Sequence, residues 1–173
     1  MLLLRDNKAT ADPGVWTASA WLHSDPGEVL HALTVPSAIA QWAPVNFDVH
    51  GLSGGRLRAG CRERVSGSIA GIGTTFEVKV TRADNKGLQL LADGPVSLDV
   101  TYSFTEHGDG VTVHACVGIR RRRGLTAQVL QAAVAALLNA GALTGALRKL
   151  ELSLQARPAW GVCAYPQPAL AVA

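Results

Sequence analysis

Between residues 45 and 120 the chain reads as six strand-like runs parted by tight-turn signals, and in several of them apolar and polar residues alternate at every second position. Few architectures accept such a pattern. The predicted strands are residues 46–51, 56–66, 74–82, 87–92, 96–105 and 110–120. Turn chemistry separates them: Ser53-Gly54-Gly55, Ala83-Asp84-Asn85-Lys86, Asp93-Gly94-Pro95 and His107-Gly108-Asp109-Gly110. Linkers this short have no room for a crossover, so neighbouring strands should pair antiparallel. A further strand, 16–24, comes first. Asp25-Pro26 then opens a helical piece, 27–33, that stops before Pro36, and a second piece, 37–42, stops before Pro44. Residues 125–155 carry the longest helical pattern, rich in Ala and Leu. The expected architecture is α+β: a seven-stranded curved antiparallel sheet wrapped around a long C-terminal helix, with two short helices after the first strand. Residues 1–12 read as a loose leader, 13–156 as one ligand-binding domain and 157–173 as a tail. Pro158, Pro166 and Pro168 keep that tail from extending the helix.

The one-sided alternation says which residues face inward. Phe76, Val78 and Val80 share a face, as do Val100, Tyr102 and Phe104, and Val111, Val113, Ala115, Val117 and Ile119. Trp16 and Trp21 fall on opposite faces of the first strand, Trp16 toward the core. In the run 56–66, Leu57, Ala59, Cys61, Glu63 and Val65 point inward while Arg56, Arg58, Arg62 and Arg64 point to water. In the long helix, Val129, Leu130, Val134 and Leu137 set an early apolar face. Leu143, Leu147, Leu150 and Leu154 set a later one, displaced around the axis. The change falls at Asn139-Ala140-Gly141, where a bend is expected. Mostly alanine and glycine fill the middle of the helix. Such small side chains facing a concave sheet should leave a cavity.

Composition narrows the functional classes. With 48% hydrophobic and 17% charged residues among 173, the chain is neither disordered nor membrane-spanning in character. A net charge of +3 tolerates an anionic ligand and gives no reason to expect nucleic acid. Cys61, Cys116 and Cys163 are odd in number and widely spaced, which fits a reducing cytoplasm better than a disulfide framework. Met1-Leu2-Leu3-Leu4-Arg5 is too short for a signal core. The apolar stretch 132–147 is broken by Asn139, Gly141, Thr144 and Gly145, so stable membrane insertion is not expected. The five histidines lack metal-ligand spacing, and neither a phosphate loop nor a dinucleotide fingerprint occurs. The expectation is a cytoplasmic monomer or homodimer with no metal and no cofactor.

Ala20-Trp21-Leu22-His23-Ser24-Asp25-Pro26-Gly27-Glu28-Val29-Leu30-His31-Ala32-Leu33 resembles the opening of the START/Bet v 1-like (SRPBCC) superfamily, particularly its polyketide cyclase/dehydrase and lipid-transport branch. Ile39-Ala40-Gln41-Trp42-Ala43-Pro44 is similar to the tryptophan-containing segment that follows there. Gly54-Gly55-Arg56-Leu57-Arg58-Ala59-Gly60 is similar to the glycine turn and next strand, and Gly108-Asp109-Gly110-Val111-Thr112-Val113 to the last hairpin. The resemblance spans about residues 16–156. It implies a helix-grip fold with a deep hydrophobic pocket, and it leaves activity open, because the superfamily holds carriers, receptors and cyclases.

Two residues are candidate catalysts. Glu63, facing an apolar cavity, would act as an acid or base. Equally it is a strand-end glutamate, one turned outward by a bulge, or the partner of a nearby arginine. Tyr102 either donates a hydrogen bond to a ligand carbonyl or is a core tyrosine satisfied locally. The expected ligand-contacting residues are Trp42, Phe76, Val78, Tyr102, Phe104, Val113, Leu137 and Gly141. His114 and Cys116 share the outer face without a third member, so a nucleophile–base pair is not expected. Arg120-Arg121-Arg122-Arg123 reads as a solvated turn or as an anion site before the helix. Cyclase relatives use an inward arginine to polarise a carbonyl, whereas Arg62 and Arg64 point outward here. The expected function is binding of a hydrophobic polyketide- or lipid-like molecule between sheet and helix. The alternatives are a polyketide aromatase/cyclase or dehydratase acting on a poly-β-keto intermediate, and a protein–protein adaptor.

Overall fold

The computed structural model describes residues 14–52, 55–69, 71–120 and 124–156. The leader 1–12, the tail 157–173 and Arg121–Arg123 lie outside them. Seven strands form one antiparallel sheet: β1 (Val15–Leu22), β2 (Phe47–His50), β3 (Arg62–Ile69), β4 (Ile72–Asp84), β5 (Gly87–Asp93), β6 (Ser97–His107) and β7 (Gly110–Arg120). Their order across the sheet is β1-β7-β6-β5-β4-β3-β2. Strands β2 to β7 are therefore a meander, as their short turns require, and β1 closes on β7 with Trp16 opposite Val117.

Helices α1 (Pro26–Thr34) and α2 (Pro36–Trp42) follow β1. The Asp25 carboxylate accepts the N–H groups of Gly27 at 2.7 Å and Glu28 at 3.0 Å, capping α1. Pro26 and Pro36 each occupy the first turn of a helix, where a missing N–H costs nothing. The buried Trp42 indole N–H donates to the Ala32 carbonyl at 2.9 Å and locks α2 onto α1.

Two expectations need correction. The run 56–66 is not strand throughout. Pairing begins at Arg62 and reaches Ile69, while Gly60 adopts φ +87° in a turn closed by the Cys61 N–H on the Arg58 carbonyl. Leu57 is still buried, and its N–H donates to the Thr34 carbonyl at 2.8 Å, so the start of this segment fastens to α1, while Gly60 and Cys61 exchange backbone hydrogen bonds with Val80 of β4. Second, the C-terminal helix does more than bend. It divides into α3 (Leu125–Asn139) and α4 (Ala142–Gln155), whose axes differ by 59°. Gly141 makes the break in the left-handed region, φ +86°, which residues with a Cβ rarely adopt.

The apolar face of α4 falls on Leu143, Ala146, Leu147 and Leu150, all buried, and that of α3 on Leu130, Val134 and Leu138. Val129 and Leu137, expected inward, are 59% and 43% exposed. Leu130 and Val134 are inward as expected, Leu138 continues the stripe at a spacing of four, and Leu137 stands at its edge.

Helix α4 packs on β1, α1 and α2. Beneath it, Leu22, Val29, Val80, Leu88, Val111, Val113, Leu147 and Leu150 form a filled core. That core occupies one end of the sheet, where Val113 opposes Phe104. Toward the other end, where Val117 opposes Val100, the packing opens. No single helix among the described residues is long and apolar enough to cross a membrane. The pair α3 and α4 passes that test jointly by length and composition, but it is sharply bent, and its apolar stripes are buried against the rest of the protein.

Candidate functional site

At the open end lies a cavity of about 230 Å³. Its walls come from three sides. Leu98, Val100 and Tyr102 of β6, with Val117 of β7 and Ile69 of β3, form the sheet side. Trp42, Pro44 and Val45 close one flank. Val134, Leu137 and Leu138 of α3 and Ala142, Leu143 and Ala146 of α4 close the helical side. Val45 and Leu137, 38% and 43% exposed, mark where the cavity meets solvent. The void lies where the helix axis turns away and α4 offers the small Ala142 and Ala146 to the sheet. Side chains of this size leave space that neighbours held in a hydrogen-bonded sheet do not move to fill.

None of the described lining residues is charged. Two carry a side-chain donor. The Trp42 indole is committed to Ala32, as described above. The Tyr102 hydroxyl is engaged by no described group. Burial pushes the Tyr102 phenol up to about 12, because the anion would lose water and gain nothing in return. The hydroxyl is therefore a proton donor at any physiological pH.

Of the expected ligand-contacting residues, Trp42, Tyr102 and Leu137 line the cavity. Gly141 sits beside the lining residue Ala142 and shapes the wall through its backbone turn. Phe76, Val78, Phe104 and Val113 stand outside the lining. Val113 is fully buried in the filled core opposite Phe104. The Phe76 ring lies over the turn between β5 and β6, so near that a Cβ on Gly94 would meet it at 2.7 Å. Val78 is buried between Glu63 on β3 and Ala92 on β5. Sequence reasoning missed Leu98, Val100 and Val117, although each lies on an inward face two residues along from a residue already placed there.

Glu63 pairs with Val78 in unbroken register from Arg62 to Ile69, so no bulge flips it and it keeps the inward face. It is partly buried, yet it lines a separate shallow depression with His50, Arg62, Arg64 and Glu77. Arg62 and Arg64 are exposed, and Arg62 pairs with Glu77 at 3.2 Å. Arg120 pairs with Asp93 at 3.5 Å. His114 Nδ1 lies 2.8 Å from Ser19 Oγ on the outer face. Burial, with help from Asp99, raises the Cys116 thiol, the opposite of an activated nucleophile. Among the described residues, no group of three potential ligands could hold a metal. Two buried hydroxyls, Thr74 Oγ1 and Thr144 Oγ1, lack partners, and neither residue lines the cavity.

Neither a family model nor a curated protein matches the sequence. Solved structures do match. A protein from Mycobacterium smegmatis, Ms6760, superposes with TM-score 0.66 at 16% identity, over 90% of this chain and 99% of its own. A START superfamily protein from the same organism gives TM-score 0.59 at 14% identity, over 82% of this chain and 99% of its own. The fold is START/Bet v 1-like. DynU16, a protein in the dynemicin biosynthetic locus, matches at TM-score 0.58 and 18% identity over 84% of this chain. This chain spans 48% of DynU16. In START/Bet v 1-like terms the helical side of the grip is here a broken pair, and the cavity sits beneath the break.

Proposed function

We propose that this protein binds a hydrophobic small molecule in the cavity between the sheet and the α3–α4 pair. One observation carries the reading: an apolar hollow of about 230 Å³, with no charged group among its described lining residues, at the end of a sheet whose other end is fully packed. Filling it with an apolar guest would gain roughly 25 cal/mol for each Å² taken out of water. The START/Bet v 1-like fold supports a binding role, and likeness to DynU16, a protein in the dynemicin biosynthetic locus, supports a small molecule of biosynthetic origin as the ligand, polyketide- or lipid-like in our reading. Free Cys61 and Cys116 support a reducing compartment such as the cytoplasm.

A cyclase or dehydratase reading has one observation in its favour, the unengaged Tyr102 hydroxyl. Proton abstraction and carbonyl polarisation together need a second polar group near it. Glu63 lies in another depression and both neighbouring arginines face solvent, so the geometry favours binding over catalysis.

Native mass spectrometry of the freshly purified protein is the test. A co-purified small molecule should appear as a mass adduct. It should be lost from Ala142→Leu, which puts a larger side chain into the wall. A ligand-free spectrum together with failure of apolar probes to bind would sink the proposal.

A further inference from the structure

We infer that the cavity selects an uncharged molecule of one- to two-ring size with a single hydrogen-bond acceptor, held by the Tyr102 hydroxyl, and that it discriminates against the matching carboxylate. This rests on the proposed binding role and adds the chemical class of the guest.

Size comes from the volume. About 230 Å³ is half again the roughly 150 Å³ that accommodates benzene, and it is below the ~300 Å³ where drug-sized sites begin. A two-ring aromatic or a medium alkyl chain fits, whereas a sterol or a long acyl chain would protrude past Val45 and Leu137.

Polarity comes from the donor inventory. The indole of Trp42 already serves Ala32, and the strands of the wall spend their backbone groups on each other. That leaves one side-chain donor, Tyr102, engaged by no described group. A phenol that keeps its proton meets an acceptor well and offers an anion no counter-charge. Lysine, arginine and histidine are absent from the lining among the described residues. The N-terminus of α4 does open beside the wall, but the C-terminus of α3 abuts it across Ala140 and Gly141. The partial charges of the two helix ends therefore oppose each other there. A carboxylate entering this space would shed its hydration for one hydrogen bond.

A matched trio tests the idea by calorimetric or fluorescence titration at neutral pH: acetonaphthone, ethylnaphthalene and naphthoate. The ketone should bind about tenfold more tightly than the hydrocarbon, the return on one neutral hydrogen bond. Naphthoate should bind at least about a hundredfold more weakly than the ketone. Tyr102→Phe should erase the ketone's advantage and leave ethylnaphthalene within about twofold. Its urea midpoint without ligand should stay the same or rise, since the lost hydroxyl had no protein partner. Naphthoate binding as well as the ketone overturns the inference, as does a ketone advantage that survives Tyr102→Phe. In either case hydrocarbon binding would still uphold the binding role. If none of the three binds, the binding role falls and takes the inference with it.

Discussion

Tyr102 joins two kinds of behaviour in one side chain. Its phenol is held near 12, against about 10 in an unfolded chain, by burial. Folding thus favours the protonated form. The associated stability is whole below pH 10 and drains away as pH climbs from about 10 to about 12, because the unfolded chain releases its proton first. Two pH units of displacement correspond to a loss of up to about 3 kcal/mol over that window. The chain has two tyrosines, so Tyr165→Phe leaves Tyr102 as the only phenol. Its tyrosinate absorbance should rise late and together with the loss of fold, and the denaturant midpoint should decline across the same pH interval. An absorbance rise centred near 10, with the fold intact, would contradict the burial. The inward face of Tyr102 was legible from its place between Val100 and Phe104. The lack of a partner was not, because that depends on what Leu137, Ala142 and Ala146 place above it.

Helices α3 and α4 show how far periodicity reaches. The displaced apolar stripes and Asn139-Ala140-Gly141 located the break, because a glycine in the left-handed region ends one helix and starts the next. Of the early face expected for α3, Leu130 and Val134 are buried and Leu137 lines the cavity, so the misjudged residue is Val129, which lies at the margin of the stripe. Leu130, 1% exposed, took the place that Val129 was expected to share. Substitution resolves the two. Leu130→Ala should cost about 2–5 kcal/mol in a urea titration, as burial of a leucine implies. Val129→Ala should change stability by no more than about 0.5 kcal/mol, since a surface position contributes little and alanine favours helix. Equal losses at both sites would mean that α3 sits differently.

In the molecule taken entire, the order of strands and helices could be read from turn chemistry and alternation alone. The meander β2 to β7 leaves each strand next to its neighbour in sequence. What alternation lacks is depth along a strand. It gives the same inward label to Val113 in the packed end and to Val117 in the hollow end. The candidate list therefore mixed residues from both. Only the helix break and the small residues of α4 tell the ends apart, and their position over the sheet is a tertiary fact. Pairing of β1 with β7 is likewise distant in sequence, and distant pairings form late because chain entropy must be lost before contacts repay it. Pulse-labelled hydrogen exchange during refolding should find the β1 amides protected after those of the β6–β7 hairpin. The reverse order would argue against this account.

The walls of the hollow run from Trp42 to Ala146, so all the residues between them must be synthesised before any container exists. A growing chain on the ribosome has nowhere to seat a guest. Under the proposed binding role, a guest would enter past Val45 and Leu137 once residues 42–146 have folded, and its supply need keep no pace with translation.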